Sequence, residues 1–527
     1  MEYCISIILI AIAAELSCAA ALPIFKILQL SGYKARGVFD YLKATKYDML
    51  IRYAALMTMS FIAMVVFIGC FNAFETVRYT AVALYIILAT VFIITTARRG
   101  DCKVVYTGRM IRIIVADTLL TLVLGACVAA LSYFSPFWQT VTAAIGGLIP
   151  FVAIAANYIM FPFEKLNHGR YIKKAKAKLA EKSPIVIGIT GSFGKTTAKN
   201  LLCGMLKEKY TVLATPGSFN TPMGICRTVN DGLADEQVLI AELGARHKGD
   251  IKELCAIVSP KYGIITAVGD MHIATFGSVD NVADTKFELA KSIGSDGFCA
   301  FNGYNARCAA LFDRAVACEK TLVGGGAEGA IGYENLVIGK DGTAFELVIG
   351  GNKYAVRTAL LGAHIAELVS VCAAVALKLG VTPEQIVSAV GKAEPVEHRL
   401  QLVPSRDPSI AVIDDAYNSN PVGAKNALDV LGMFGGKKII ITPGFVELGT
   451  VEKDCNTELG KHIAAVCDYA FLIGSRAQDI KSGAVDGGMN EGCISIFASL
   501  DDAVSALAEI VGDKAVLFEN DLPDNIK

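Results

Sequence analysis

The chain has 527 residues, enough for about three domains. Hydrophobic residues make up 54% and charged residues 19%, more apolar than an ordinary soluble enzyme, in which charge runs at about 25%. A formal net charge of −1 excludes the basic footprint of a nucleic-acid-binding protein, and the fifteen cysteines, with no CxxC pair or metal-ligand spacing, read as reduced core thiols.

In chain order, the apolar excess comes first, almost all of it before residue 165. Five stretches are long enough to cross about 30 Å of hydrocarbon: Ile5–Leu28, Met49–Phe71, Tyr79–Thr96, Ile111–Tyr133 and Phe137–Met160. Glu2 is the only charge before the first, so that stretch reads as a retained span and not a cleaved signal. Basic residues fall in alternate connections: Lys34, Arg36, Lys43 and Lys46; then Arg98, Arg99, Lys103 and Arg109; then Lys165, Arg170, Lys173 and Lys174. The positive-inside rule turns this alternation into an expectation of an external N-terminus, a multi-pass bundle in the cell membrane, and a catalytic part on the cytoplasmic side. Glu15 and Asp117 fall within spans and invite either a packing or a functional role.

The clearest chemistry follows. Residues 185–189 (Ile-Val-Ile-Gly-Ile) form a short apolar strand that runs through Thr190 into Gly191-Ser-Phe-Gly-Lys-Thr-Thr197, and the spacing predicts a helix opening at Thr196. A strand, a glycine-rich turn and a helix N-terminus are what a phosphate loop requires: backbone N–H groups curl around a phosphate and the helix dipole adds positive potential. Gly191, Ser192, Gly194, Lys195, Thr196 and Thr197 are the candidate nucleotide-binding residues. Lys195 supplies a point charge to the β- and γ-phosphates, and Thr196 offers a hydroxyl to Mg²⁺.

From this loop onward the chain resembles the Mur ligase family, over about residues 183–527. The carrying segments are Gly217-Ser-Phe-Asn-Thr-Pro-Met-Gly224, Ile240-Ala-Glu-Leu-Gly244, Met271-His272 with Lys286 fourteen residues after the histidine, Gly362-Ala-His364, His398-Arg399, and Ile410-Ala-Val-Ile-Asp-Asp-Ala-Tyr-Asn-Ser-Asn-Pro421, with Glu447-Leu-Gly449 beyond. The resemblance implies that Glu242 ligates Mg²⁺, that Lys286 is carbamylated and with His272 serves a second Mg²⁺, and that Lys195, Lys286, His272 and Glu242 carry catalysis. It further implies that Asn302, His364, Arg399 and Asp415 lie on the nucleotide side, Asn305 being a weaker candidate there, and Asn220, Tyr417, Asn418 and Asn420 on the substrate side. Two departures stand out. Ile365 and Leu368 occupy positions where the family carries asparagines beside the adenine, and no counterpart of the family's UDP-sugar domain is visible.

The expected fold is therefore an N-terminal helical transmembrane bundle (residues 1–165) followed by α/β structure: a central P-loop domain (166–393) and a Rossmann-like C-terminal domain (394–527). The expected function is an ATP- and Mg²⁺-dependent amide ligase of peptidoglycan precursor synthesis, adding D-Ala-D-Ala to a muramoyl-tripeptide through an acyl phosphate. Its partners would be that precursor and dipeptide, the membrane, and possible neighbouring cell-wall enzymes, with no nucleic acid. Two alternatives remain open: a membrane-bound poly-γ-glutamate synthase, opposed by the segment Asp414–Pro421, and a non-catalytic ATP-binding scaffold, opposed by Lys195, Glu242, His272 and Lys286.

Overall fold

A computed structural model describes residues 21–29, 31–33, 38, 104–132, 137–324, 331–405, 407–417, 419–446 and 448–520. The chain divides into two compact units, Met1–Gly169 and Arg170–Lys527.

In the first unit, residues 21–29 are helical. They are followed by α1 (Gly108–Ser132) and the beginning of α2 (Phe137–Lys182). Ile24, Phe25 and Leu28 pack with Met110, Ile113, Ala153 and Ala156 in a small apolar cluster. Polar groups tie the same segments together. Gln29 exchanges two hydrogen bonds with the backbone of Val105 (2.8 and 2.9 Å), the Arg109 guanidinium lies 4.0 Å from the Tyr33 ring centre, and Arg112 Nε meets Glu164 Oε1 at 2.7 Å.

These contacts correct the expectation of a five-span bundle and, with it, of a multi-pass membrane location and membrane embedding. Among the described residues, no helix is long and apolar enough to cross a membrane. The physical reason lies in the polar residues inside the apolar runs: α1 carries Arg109, Arg112 and a buried Asp117, while α2 carries buried Asn157 and Glu164 and continues through the charged stretch to Lys182. Stretches 49–71 and 79–96, most of 5–28, Glu15 and the terminus whose sidedness was expected lie outside the described residues.

The second unit is α/β. Its first sheet contains β1 (Ile185–Thr190), β2 (Val212–Ala214), β3 (Val238–Glu242), β4 (Tyr262–Ile265), β5 (Phe298–Asn302) and β6 (Glu319–Val323), in the order β2-β3-β1-β4-β5-β6. All its pairings are parallel. Strands β1, β3 and β5 are near-continuous apolar runs because helices cover both faces; all five residues of β3 and of β5 are buried. A three-stranded antiparallel sheet follows, made of β7 (Gly332–Gly339), β8 (Gly342–Ile349) and β9 (Asn352–Thr358). The last sheet runs β10-β11-β15-β12-β13-β14. Only β10 (Gln401–Val403) is antiparallel in it, to β11 (Ile410–Asp415); β12 (Lys437–Thr442), β13 (Tyr469–Ile473), β14 (Ile494–Phe497) and β15 (Lys514–Glu519) are parallel.

In the first sheet β1 sits centrally, and the chain builds outward to one side through β3 and β2 and then to the other through β4, β5 and β6. Open α/β sheets bind ligands outside the carboxyl ends of their strands where the order reverses. That point is the end of β1, where the glycine-rich loop begins.

Candidate active site

The loop after β1 is set by close packing. A Cβ on Gly191 would lie 2.0 Å from Thr266 Oγ1, just beyond β4. Thr266 braces the turn: its N–H donates to Thr190 O (2.9 Å) and its hydroxyl to Phe193 O (2.5 Å). Gly194, at φ 79°, turns the chain into α3 (Lys195–Lys207). Ser192 is held by the β4 side, its hydroxyl donating to Gly269 O (3.2 Å) and accepting from Gly269 N–H (3.0 Å). Its side chain thus serves the shape of the loop.

Lys195 folds over this turn and donates to Gly191 O (2.8 Å) and Ser192 O (3.1 Å), leaving one of its three donors for an anion. Burial lowers its pKa to about 8, with the Glu242 carboxylate opposing the shift and the Arg399 guanidinium adding to it. A cation desolvated beside curled backbone amides fits a polyphosphate.

Glu242 ends β3, paired in register with Ile189 of β1, so the sheet itself places its carboxylate beside the loop. It is 1% exposed. Oε2 accepts from the Thr196 hydroxyl (3.0 Å) and from Lys199 Nζ (3.2 Å), and Oε1 from Asn220 Nδ2 (3.1 Å). The structure thus brings Thr196, Glu242 and Asn220 together, and Thr197 follows Thr196 on α3. Lys199 was missed; it lies four residues after Lys195, one helical turn along the same face, and that spacing was the available signal. Among the described residues no three His, Cys, Asp or Glu side chains converge on one point. The hydroxyl–carboxylate pair of Thr196 and Glu242 nevertheless fits Mg²⁺, which usually takes one or two protein ligands and completes its shell with phosphate oxygens and water.

Lys286 lies on α4 (Val279–Ser292), 3% exposed. Burial lowers its pKa to about 7, the nearby Lys195 charge adding to the shift and Asp250 and Glu288 opposing it. His272 caps the short helix Ile273–Phe276 with a left-handed backbone, φ 53°. Asn302 ends β5; its amide donates to Thr266 O (2.8 Å) and Glu367 Oε2 (3.2 Å). Asn305 caps the next helix and accepts from Cys308 N–H (2.9 Å).

Helix α5 (His364–Lys378) explains the departure at the adenine-side segment. Ile365 and Leu368 are buried, and a Cβ on Gly194 would meet Leu368 Cδ2 at 3.1 Å. The aliphatic side chains therefore pack the helix onto the P-loop and core. The Nδ1 of His364 is enclosed without a hydrogen-bond partner among the described residues, and burial lowers its pKa to about 4.

In the last sheet, β11 ends at Asp414 and Asp415. His398, itself at φ 59°, contacts Asp414 Oδ2 through Nδ1 at 2.7 Å, while Asp415 Oδ1 accepts from Leu400 N–H (3.0 Å). Arg399 stacks 4.4 Å over the Tyr417 ring centre. Asn420 is buried as the N-cap of α6 (Pro421–Leu431), accepting from Gly423 N–H at 3.0 Å. Burial raises the Asp415 pKa to about 7, and Glu519, its register partner on β15, is fully buried and held well above the usual carboxylate range by the same cause. The Tyr417 hydroxyl donates to Ser218 Oγ at 2.6 Å and joins the last sheet to the loop after β2. Asn418 and Glu447 lie outside the described residues.

The glycine-rich loop, the strand-end carboxylate and the second parallel sheet with its Asp-Asp-Ala-Tyr corner have counterparts among known proteins. Residues 189–376 match the Mur ligase middle domain, and residues 398–519 the Mur ligase glutamate ligase domain; together these span more than half of the chain. The chain belongs to the Mur ligase family. It is 29% identical over 314 residues to the UDP-N-acetylmuramoyl-tripeptide–D-alanyl-D-alanine ligase of Bacillus subtilis, covering 59% of this chain and 67% of that one. It is 35% identical over 260 residues to the Mycobacterium bovis enzyme of the same name, covering 48% and 50%. The chain thus spans half to about two thirds of these relatives' length. Among solved Mur ligases, a MurF structure from Acinetobacter baumannii superposes with a TM-score of 0.61 at 25% identity, over 67% of this chain and 77% of that one. The Thermotoga maritima MurF in complex with ADP superposes with a TM-score of 0.60 at 23% identity, over 67% and 80%.

Proposed function

We propose that the chain is an ATP-dependent, ADP-forming ligase that joins D-Ala-D-Ala to a muramoyl-tripeptide in peptidoglycan precursor synthesis. The observation that carries this reading is Glu242 at the end of β3, held against Thr196 of the P-loop helix, in a chain whose relatives bear that ligase's name. The division between the two catalytic domains is proposed at 393/394.

In this mechanism the tripeptide carboxylate attacks the γ-phosphorus of ATP, the bond to the β-phosphate oxygen breaks, and ADP leaves an acyl phosphate. The dipeptide amine, having given up its proton, attacks the acyl carbon, and inorganic phosphate departs as the amide forms. Lys195 and the loop amides neutralise charge on the transferring phosphoryl group. Thr196 and Glu242 would hold Mg²⁺, which supplies Lewis-acid neutralisation of the phosphate oxygens. Lys286 is the proposed carbamate, with His272 as its companion; an amine with a pKa of about 7 is largely uncharged above neutrality, the form that adds CO₂. His364 and Asn302 are proposed on the nucleotide side, as are Arg399 and Asp415. Tyr417, Asn418 and Asn420 are proposed on the dipeptide side. The test is mass-spectrometric detection of the amide with D-Ala-D-Ala, UDP-muramoyl-tripeptide, ATP and Mg²⁺. ATP-dependent amide formation supports the reading, and its absence together with glutamate polymerisation overturns it.

A further inference from the structure

Lys199 has no place in the mechanism above, yet it is among the most deeply buried cations of the second unit, with a side chain 2% exposed. A lysine ammonium is strongly hydrated, and enclosing it is costly unless fixed acceptors replace its water. Here it has two. One is Glu242 Oε2, at 3.2 Å; the other is the carbonyl of Gly217. Gly217 belongs to the segment 215–221 that leads from β2, and this segment is pinned to the strand end at three further points. The Thr215 hydroxyl accepts from Glu242 N–H (3.1 Å), Asn220 Nδ2 donates to Glu242 Oε1 (3.1 Å), and Gly244 N–H donates to Asn220 O (3.0 Å). A Cβ on Gly244 would lie 2.7 Å from the Asn220 side chain, so the two strands of chain are in close contact. The residue after Gly217 is Ser218, and its hydroxyl accepts from Tyr417, which carries Arg399 stacked on its ring.

We infer that Lys199 is a positioning residue: by bridging Glu242 to Gly217 it fixes the segment 215–221 in the conformation that lets Ser218 hold Tyr417, and so links the carboxylate beside the P-loop to the placement of the last domain. The bridge acts through one side chain reaching two elements. Three side chains, Thr196, Lys199 and Asn220, donate to the Glu242 carboxylate, and the Gly217 carbonyl accepts from the same ammonium. On the far side Ser218 offers Tyr417 a hydroxyl on a short side chain, so a shift of about 1 Å in Gly217 breaks that hydrogen bond. This inference stands on the hydrogen bonds alone and does not require the proposed substrates.

The test uses the full chain with Lys199→Met, Lys199→Arg, Ser218→Ala and the Lys199→Met/Ser218→Ala double variant. Hydrogen–deuterium exchange read by mass spectrometry is followed in peptides covering 215–221 and 410–417. Lys199→Met is expected to speed exchange in both peptides by about tenfold, the size of effect seen within one shared network, and Lys199→Arg to restore most of the protection. Ser218→Ala is expected to speed exchange in 410–417 alone, and the double variant to add nothing further there. Faster exchange in 215–221 with 410–417 unchanged in Lys199→Met overturns the link to the last domain, as do additive effects in the double variant. If Lys199→Met does not fold, Lys199→Arg and Ser218→Ala decide: wild-type exchange in 410–417 for Ser218→Ala overturns the proposal. Since no substrate enters the exchange measurement, failure of the ligase reading leaves a distinct result, no amide product with the exchange pattern intact.

Discussion

At the level of single residues, charge buried beside charge organises the site. Lys195, Lys199 and Lys286 are three lysines whose pKa values are all lowered by burial; Lys195 donates to loop carbonyls and Lys199 to Glu242 and the Gly217 carbonyl, while Asp250 and Glu288 oppose the shift at Lys286. Lys195→Ala should reduce amide formation and ATP turnover by about 10²–10³-fold, the loss typical of one preorganised charge stabiliser; steady-state assays measure this, and activity within tenfold of wild type removes Lys195 from the reaction. Lys286→Ala should be nearly inactive and regain part of its rate with short carboxylic acids, whose oxygens replace those of the proposed carbamate; an initial-rate titration with acetate checks it. Asp415 gives a pH dependence with a defined sign. Its folded pKa, about 7, lies above the ordinary aspartate value, so the folded state holds the proton more tightly. Its contribution to stability is full below about pH 4 and is lost as the pH rises through about 7. Asp415→Asn, which keeps an acceptor for Leu400 N–H, should flatten that decline in denaturant unfolding measured at pH 5 and pH 8. Lys195, Thr196 and Glu242 were legible in the sequence because each sits at the end of an element that the sequence itself declares. Lys199 was not, because its partners, Glu242 and Gly217, are 43 and 18 residues away and meet it only after β2 and β3 are in place.

At the level of elements, one parallel and one mainly parallel sheet decide what can meet. The apolar run of β1, the glycines after it and the carboxylate closing β3 were readable because strand, turn and helix chemistry are local. The helix expected from Thr196 begins at Lys195. The apolar runs of α1 and α2 misled for a physical reason: a hydropathy run does not register what a helix does with its polar residues. In α1 and α2, Arg112 meets Glu164, and Asp117 and Asn157 are buried. Helix α5 shows a different limit. The missing asparagines were visible in the sequence, but only the packing reveals that Leu368 lies against Gly194 and that Ile365 belongs to the core. Ile365→Asn should therefore destabilise the second unit by about 1–3 kcal/mol, the cost of a buried amide without partners. Thermal or denaturant unfolding would show this, and an unchanged midpoint would mean that the site admits water. Gly191→Ala tests the loop more sharply, because its methyl group has no room beside Thr266 Oγ1. Nucleotide binding should fall well before overall stability does, as read by calorimetric titration with ADP.

For the whole molecule, polar groups as well as apolar packing connect the two halves of the second unit. Tyr417 reaches Ser218, and the Arg399 charge is felt by both Lys195 and Lys199. The proposed reaction, which joins an activated carboxylate to an amine, needs such a meeting, since a misplacement of about 1 Å costs on the order of a hundredfold in rate. The most direct test of the account is a single measurement on the full chain: formation of the amide between UDP-muramoyl-tripeptide and D-Ala-D-Ala with ATP and Mg²⁺, followed by mass spectrometry alongside release of ADP and phosphate. The account predicts one ADP and one phosphate for each amide formed, with both lost in Lys195→Ala. ATP hydrolysis that proceeds at the same rate with and without the dipeptide, and yields no amide, would contradict it.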